Sequence, residues 1–142
     1  MATVFAYREE RINDPELIDA AHIKSKVKEG VRVVIQFVKP PVNETILERL
    51  NTLCRKFGSN FEIRFYGHYG DAFDGRLLRR VPDVKALYVD CLNRAVNISE
   101  VCNLRSLEKL SIGVYELKEL DILSSENLFS LKGLCVSETR SS

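Results

Sequence analysis

The side chains best able to handle a proton or an electron pair lie close together in this 142-residue sequence. His68 is followed by Asp71 and Asp74 in the run Gly67-His68-Tyr69-Gly70-Asp71-Ala72-Phe73-Asp74-Gly75, and Cys54 lies a little upstream. An imidazole beside a carboxylate can take a proton from a thiol or hydroxyl. A small α/β enzyme or ligand-binding domain using the His68–Asp74 loop is therefore one reading of the chain. Little else completes it. The sequence has no Gly-x-Ser-x-Gly turn around a nucleophile. Gly67, Gly70 and Gly75 do not have the spacing that cradles a dinucleotide. His22, the other histidine, has no ligand near it in sequence, and Cys54, Cys91, Cys102 and Cys135 form no Cys-x-x-Cys pair. The apolar neighbours of the cysteines predict buried free thiols in a reducing compartment. No catalytic residue, metal or cofactor is called for.

Charge narrows the partners. The 21 basic and 20 acidic residues nearly cancel, and the balance holds in both halves of the chain. A nucleic-acid or anionic-membrane binder usually carries a basic stripe, so neither partner is expected. Arg76, Arg79, Arg80 and Lys85 form the most basic run. They could meet a phosphate or an acidic partner, but solvated turn residues are the simpler reading. Glu9-Glu10 and the set Glu116, Glu119 and Asp121 read as solvated faces. No apolar run approaches the roughly 18 residues that span a bilayer, and the first residues lack a basic leader with an apolar core. The location expected from these features is cytoplasmic. The tripeptides starting at Asn43 and Asn97 match a glycosylation site that has no consequence there.

The elements that must carry these side chains come next. A short strand is predicted over Val4–Tyr7. A helix is predicted from Pro15 towards Val27, with Asp14 as its N-cap and Gly30 closing the segment. Val31–Val38 is almost all β-branched or aromatic and alternates as a strand, with Val31, Val33, Ile35 and Phe37 on one side. After Pro40-Pro41, Ile46, Leu47, Leu50, Leu53, Cys54 and Phe57 fall at helical spacing, with Asn43 able to cap and Gly58 placed for a left-handed end. Phe61–Tyr66 is a second strong strand. Leu77, Leu78 and Val81 predict one helical turn, Ile98, Val101 and Leu104 another, and Leu117, Leu120, Ile122 and Leu123 serve a later connection.

One phrase recurs through the second half. Val81-x-x-Val84-x-x-Leu87-x-Val89 returns as Leu104-x-x-Leu107-x-x-Leu110-x-Ile112 and as Leu128-x-x-Leu131-x-x-Leu134-x-Val136. Ile63-x-Phe65 and Ile35-x-Phe37 fall in the same register earlier. A fixed period in the twenties marks stacked units, each unable to bury its apolar edge alone. On these residues the chain resembles a leucine-rich repeat protein, strongly over residues 78–137 and partially over 32–66. The family's usual asparagine after each strand is replaced by Leu92, Tyr115 and Thr139. The resemblance implies a short solenoid of α/β class: about five mainly parallel strands near 32–37, 61–66, 85–90, 108–113 and 132–137. Helices or helical turns would lie on its convex side. The chain reads as a single domain, with residues 1–30 as an N-terminal cap, 31–137 as repeat units and 138–142 as a tail. Chance spacing in a leucine-rich α/β domain would also give a mainly parallel sheet with helices on one side.

The register sorts the strand residues into two faces. The outward set is Val34, Glu62, Ala86, Lys109 and Gly133; then Gln36, Arg64, Tyr88, Ser111 and Cys135; then Val38, Tyr66, Asp90, Gly113 and Ser137. Tyr and Arg combine large area with directional donors and are enriched at interface hot spots. The residues expected to bind a partner are Glu62, Arg64, Tyr66, Lys85, Tyr88, Asp90 and Lys109. Val34 and Val38 are expected to extend an apolar patch. The function expected is a non-catalytic protein-binding module, and a narrower form is a cytoplasmic bacterial immunity protein that neutralises a toxin. An N-terminal part of a larger repeat protein, or self-association through the C-terminal end, is the further alternative.

Overall fold

The structure, a computed structural model, describes residues 8–39, 41, 43–67, 72–116 and 133–138, with 91–93, 114–116 and 133–138 as backbone only. The strands are β1 (Glu9–Asn13), β2 (Arg32–Phe37), β3 (Phe61–Tyr66), β4 (Phe73–Asp74), β5 (Ala86–Val96), β6 (Lys109–Glu116) and β7 (Gly133–Glu138). The helices are α1 (Ala20–Lys28) and α2 (Thr45–Lys56), with two 3₁₀ helices at Gly75–Arg80 and Ile98–Asn103. The result is a mixed α/β fold on a parallel sheet.

The main path of the sheet runs β1-β2-β3-β5-β6-β7, the order of the chain itself, and every neighbouring pair is parallel. Ile35, Ile63, Leu87, Leu110 and Leu134 are register partners in one row, and Phe37, Phe65, Val89, Ile112 and Val136 in the next. These are the columns of the sequence repeat. Parallel strands in chain order each need a crossover, and all the crossovers among the described residues lie on one side. Ile23 of α1, Leu47 and Leu50 of α2, Leu78 and Val81, and Ile98 and Val101 join the inward strand residues in one buried cluster. Burying each such leucine is worth roughly 1.5–3 kcal/mol. Phe37 stacks on Phe65 with ring centroids 5.6 Å apart, and Phe65 meets Phe73 at 5.1 Å.

Several local expectations change. Glu9–Asn13 is a strand, missed because Glu9-Glu10-Arg11-Ile12-Asn13 holds one apolar residue; only Ile12 packs against the core, level with Ile35. The strand expected at Val4–Tyr7 lies outside the described residues. Asp14 does not cap α1. It sits at φ 42°, and its carboxylate accepts from Val38 N at 3.1 Å, so Asp19 takes the cap by accepting from His22 N at 3.0 Å. Asn43 is not the N-cap of α2, which is Glu44 without a side-chain cap bond; it lies one residue earlier and accepts from Thr45 N and Oγ1. Gly58 is not left-handed, because α2 leaves through an extended Phe57; Gly30, at φ 82°, does close α1. The two helical turns are the two 3₁₀ helices, and the connection carrying Leu117 to Leu123 lies outside the described residues. β5 continues past residue 90 through an irregularity between Val89 and Leu92, and its far end pairs with β4. No helix of the described residues is long and apolar enough to cross a membrane.

Candidate functional site

The face opposite the helices is the one that the repeat register left open, and among the described residues no helix packs on it. Glu9, Arg11 and Asn13 of β1 and Arg32, Val34 and Gln36 of β2 share this parity. The face continues through Glu62, Arg64 and Tyr66 of β3, Ala86, Tyr88 and Asp90 of β5, and Lys109, Ser111 and Gly113 of β6. It is polar and aromatic above a thin apolar floor. Val34 is fully buried there, in register between Arg11 and Glu62 and flanked along its strand by Arg32 and Gln36. The apolar patch expected from Val34 and Val38 is therefore not formed: Val38 alone is exposed, at the end of β2.

Two arginines organise the face in the same way. Arg64 holds Asp90 through two contacts, Nε to Oδ1 at 2.8 Å and a terminal nitrogen to Oδ2 at 3.1 Å, and its guanidinium lies 4.5 Å from the Tyr66 ring centroid. Arg32 donates to Glu62, Nε to Oε1 at 3.0 Å, reaches Glu9 at 3.5 Å, and lies 5.5 Å from the Tyr88 ring centroid. In both pairs the carboxylate sits on the next strand of the sheet, diagonally ahead. Each arginine is only 17% exposed in its side chain. The Arg64 pair is bidentate, the Arg32 pair sets two donors on one oxygen, and partly buried pairs of either kind fix orientation as well as charge. Gln36 joins the Arg64 pair to β1: its oxygen accepts from Arg11 at 3.1 Å and Arg64 at 3.4 Å, while its amide nitrogen donates to Asn13 and to the Tyr66 hydroxyl.

The expected binding residues divide accordingly. Arg64, Tyr66, Tyr88, Asp90 and Lys109 share the open face. Glu62 has the right parity but is 2% exposed and spent on Arg32, so it lies beneath the surface instead of on it. Burial pushes its carboxyl above the ordinary 4.5, against the opposing pull of Arg32. Lys85 belongs to the other side: its ammonium donates to the Phe57 carbonyl at 2.6 Å, where the negative end of α2 favours a cation. Arg32, Glu9, Arg11 and Asn13 complete the network without having been picked out. β1 was not legible as a strand, and only its period-two alternation, Glu9-x-Arg11-x-Asn13, could have signalled it.

Compared with models of known protein families, with curated proteins and with solved structures, the chain matches none.

The other candidate chemistry that the structure describes is already engaged. His68 and Asp71 lie outside the described residues. Asp74 accepts from Arg76 N at 3.0 Å, pairs with the Arg76 guanidinium at 2.7 Å and receives Asn97 at 3.0 Å. Those bonds hold its carboxyl well below the usual range. Cys54 is buried on α2, which raises its thiol to about 12, far from a reactive thiolate. His22 faces Glu10 at 2.9 Å on the surface. Among the described residues no three His, Cys, Asp or Glu side chains gather as a metal site would need. Arg76, Arg79 and Arg80 of the basic run line a cleft of about 510 Å³ with Glu44, Asp74 and Leu77. Its arginines are matched by carboxylates: Arg76 by Asp74, Arg79 by Glu100 at 2.7 Å, and Arg80 by Glu44 and Glu48. A second cleft, about 610 Å³, opens at the C-terminal ends of β1 and β2 between Pro15, Phe37, Val38 and Ile46, with the Asp14 carboxylate already engaged by Val38 N.

Proposed function

We propose that the chain is a non-catalytic protein-binding module built as a short leucine-rich-repeat-like solenoid, and that its partner docks on the open sheet face. The observation that carries this reading is the set Arg64, Asp90, Tyr66 and Gln36, held by mutual hydrogen bonds and a cation–π contact on a face that no helix covers among the described residues. Side chains already fixed before binding lose less conformational entropy on docking. Tyrosine and arginine together supply area and directional donors. The five binding residues are Arg64, Tyr66, Tyr88, Asp90 and Lys109, with Glu62 acting from below.

Photo-crosslinking from position 111, in the middle of the face, tests the reading. The wild-type chain should capture a defined partner in cells, and replacing Arg64, Tyr66 and Tyr88 with alanine should abolish that capture while the far-ultraviolet spectrum is unchanged. Capture that persists in the folded triple variant removes this face as the site. In the narrower form, the partner is a bacterial toxin that the chain neutralises in the cytoplasm. Co-expression with the product of a neighbouring gene should then relieve toxicity, and the triple variant should fail to do so.

A further inference from the structure

A carboxylate with 2% exposure on an otherwise polar face has a cost that one hydrogen-bonded arginine does not obviously return. Arg32 binds Glu62 through two of its nitrogens, both to Oε1, while a third lies 3.5 Å from Glu9 and the guanidinium stands over Tyr88. One guanidinium thus serves at least two carboxylates and one ring, and of Glu62 and Glu9 only Glu62 is cut off from water. The charged groups facing Glu62 are Arg32 on β2, Glu9 and Arg11 on β1, Arg64 on its own strand and Lys109 on β6, with Tyr88 the titratable ring on β5.

We propose that Glu62 is a proton-operated latch for Arg32: a proton taken from solvent by Glu62 releases the guanidinium from its buried anchor towards Glu9 and shifts it over Tyr88, changing the surface that a partner meets. The neutral acid can still accept one hydrogen bond but no longer holds a cation by charge, and the Glu9 carboxyl oxygen 3.5 Å away and the Tyr88 ring are the partners that then compete for it. Only the last clause rests on the proposed binding face, since the latch is measurable without any partner. Its failure and the failure of the binding reading are separate results.

Carbon-detected NMR of the full chain measures it directly. The Glu62 carboxyl resonance should titrate with a midpoint above 4.5, and Arg32 Nε and the Tyr88 ring should move with the same midpoint. Charges set the sign of two further shifts: Glu9→Gln should lower the midpoint, because Glu9 pushes it up, and Lys109→Ala should raise it. Glu62→Gln should hold Arg32 Nε and Tyr88 at their low-pH positions even at neutral pH, which decides the matter if acid unfolds the wild type first. A Glu62 midpoint at or below 4.5 overturns the latch, and so do Arg32 and Tyr88 resonances that Glu62→Gln leaves in place.

Discussion

A single polar side chain ties α2 to the turn that leads into β5. Asn51 sits buried on α2, its oxygen accepting from Asp83 N at 2.8 Å and its amide donating to the Asp83 carboxylate at 2.9 Å. Replacing it with alanine strands a backbone N–H, so Asn51→Ala should cost about 1–3 kcal/mol in urea unfolding. Asn51→Asp should cost more at pH 7 than at pH 3, because a second carboxylate then faces Asp83. The titrating groups pull stability in opposite directions with pH. Asp83 is held below its ordinary 3.8 by Arg55 and Asn51, and Glu100 below 4.5 by Arg79. Their contribution is complete above those ordinary values and is lost as pH falls through the depressed ones. Glu62, raised above 4.5 by burial, contributes fully below 4.5, and that contribution fades as pH rises through its higher value. Thermal melts from pH 2 to 8 should therefore show Asp83→Asn flattening the acid limb, and Glu62→Gln flattening the decline on the neutral side.

Between elements, close approach decides what the chain tolerates. Gly75 opens the first 3₁₀ helix, and a Cβ there would lie 2.0 Å from the Asn97 carbonyl oxygen, which leads into the second. That atom is backbone, at a residue with φ 55°, and cannot swing aside. Gly75→Ala should destabilise by about 2 kcal/mol or more, as overpacking against a fixed neighbour does, and urea midpoints would show it. Leu47 and Leu50 are fully buried between α2 and the sheet, so either alanine variant should cost about 2–5 kcal/mol by the same measurement. β1 is the contrasting case: it contributes one half-buried apolar side chain and is held chiefly by backbone pairing and the Arg11, Asn13 and Gln36 contacts.

At the scale of the whole molecule, parallel strands taken in chain order leave β2 and β3 paired on both edges and almost wholly buried, sharing one core with α2 and the phenylalanine stack. Native-state hydrogen exchange should find the slowest amides there, at the free energy of global unfolding, with β1 opening earlier. Cys54 lies inside that unit. At pH 8, alkylation of its thiol should proceed at the global opening rate, whereas the half-buried Cys102 reacts through smaller motions. Equal labelling rates at the two cysteines would show that the helical layer opens independently of the sheet.

The sequence by itself determined the apolar columns. Side chains alternate with period two in strands, so the spacing of Ile35, Ile63, Leu87 and Leu110 set which residues point inward and which share the open face, and the strand register follows those rows. α2 was equally legible, since one apolar stripe at helical spacing needs no partner to be recognised. β1 was not, because a strand with one apolar residue is created by its neighbour's backbone and not by its own pattern. The fate of the polar residues also lay beyond the pattern. Parity placed Glu62 and Arg64 on one face, but only the tertiary structure sank Glu62 beneath Arg32, turned Lys85 to the end of α2, and closed Asp14 on Val38. Hydrophobic burial repeats along the chain and is written locally, whereas charges choose partners across 20 to 30 residues, and that choice is made in space.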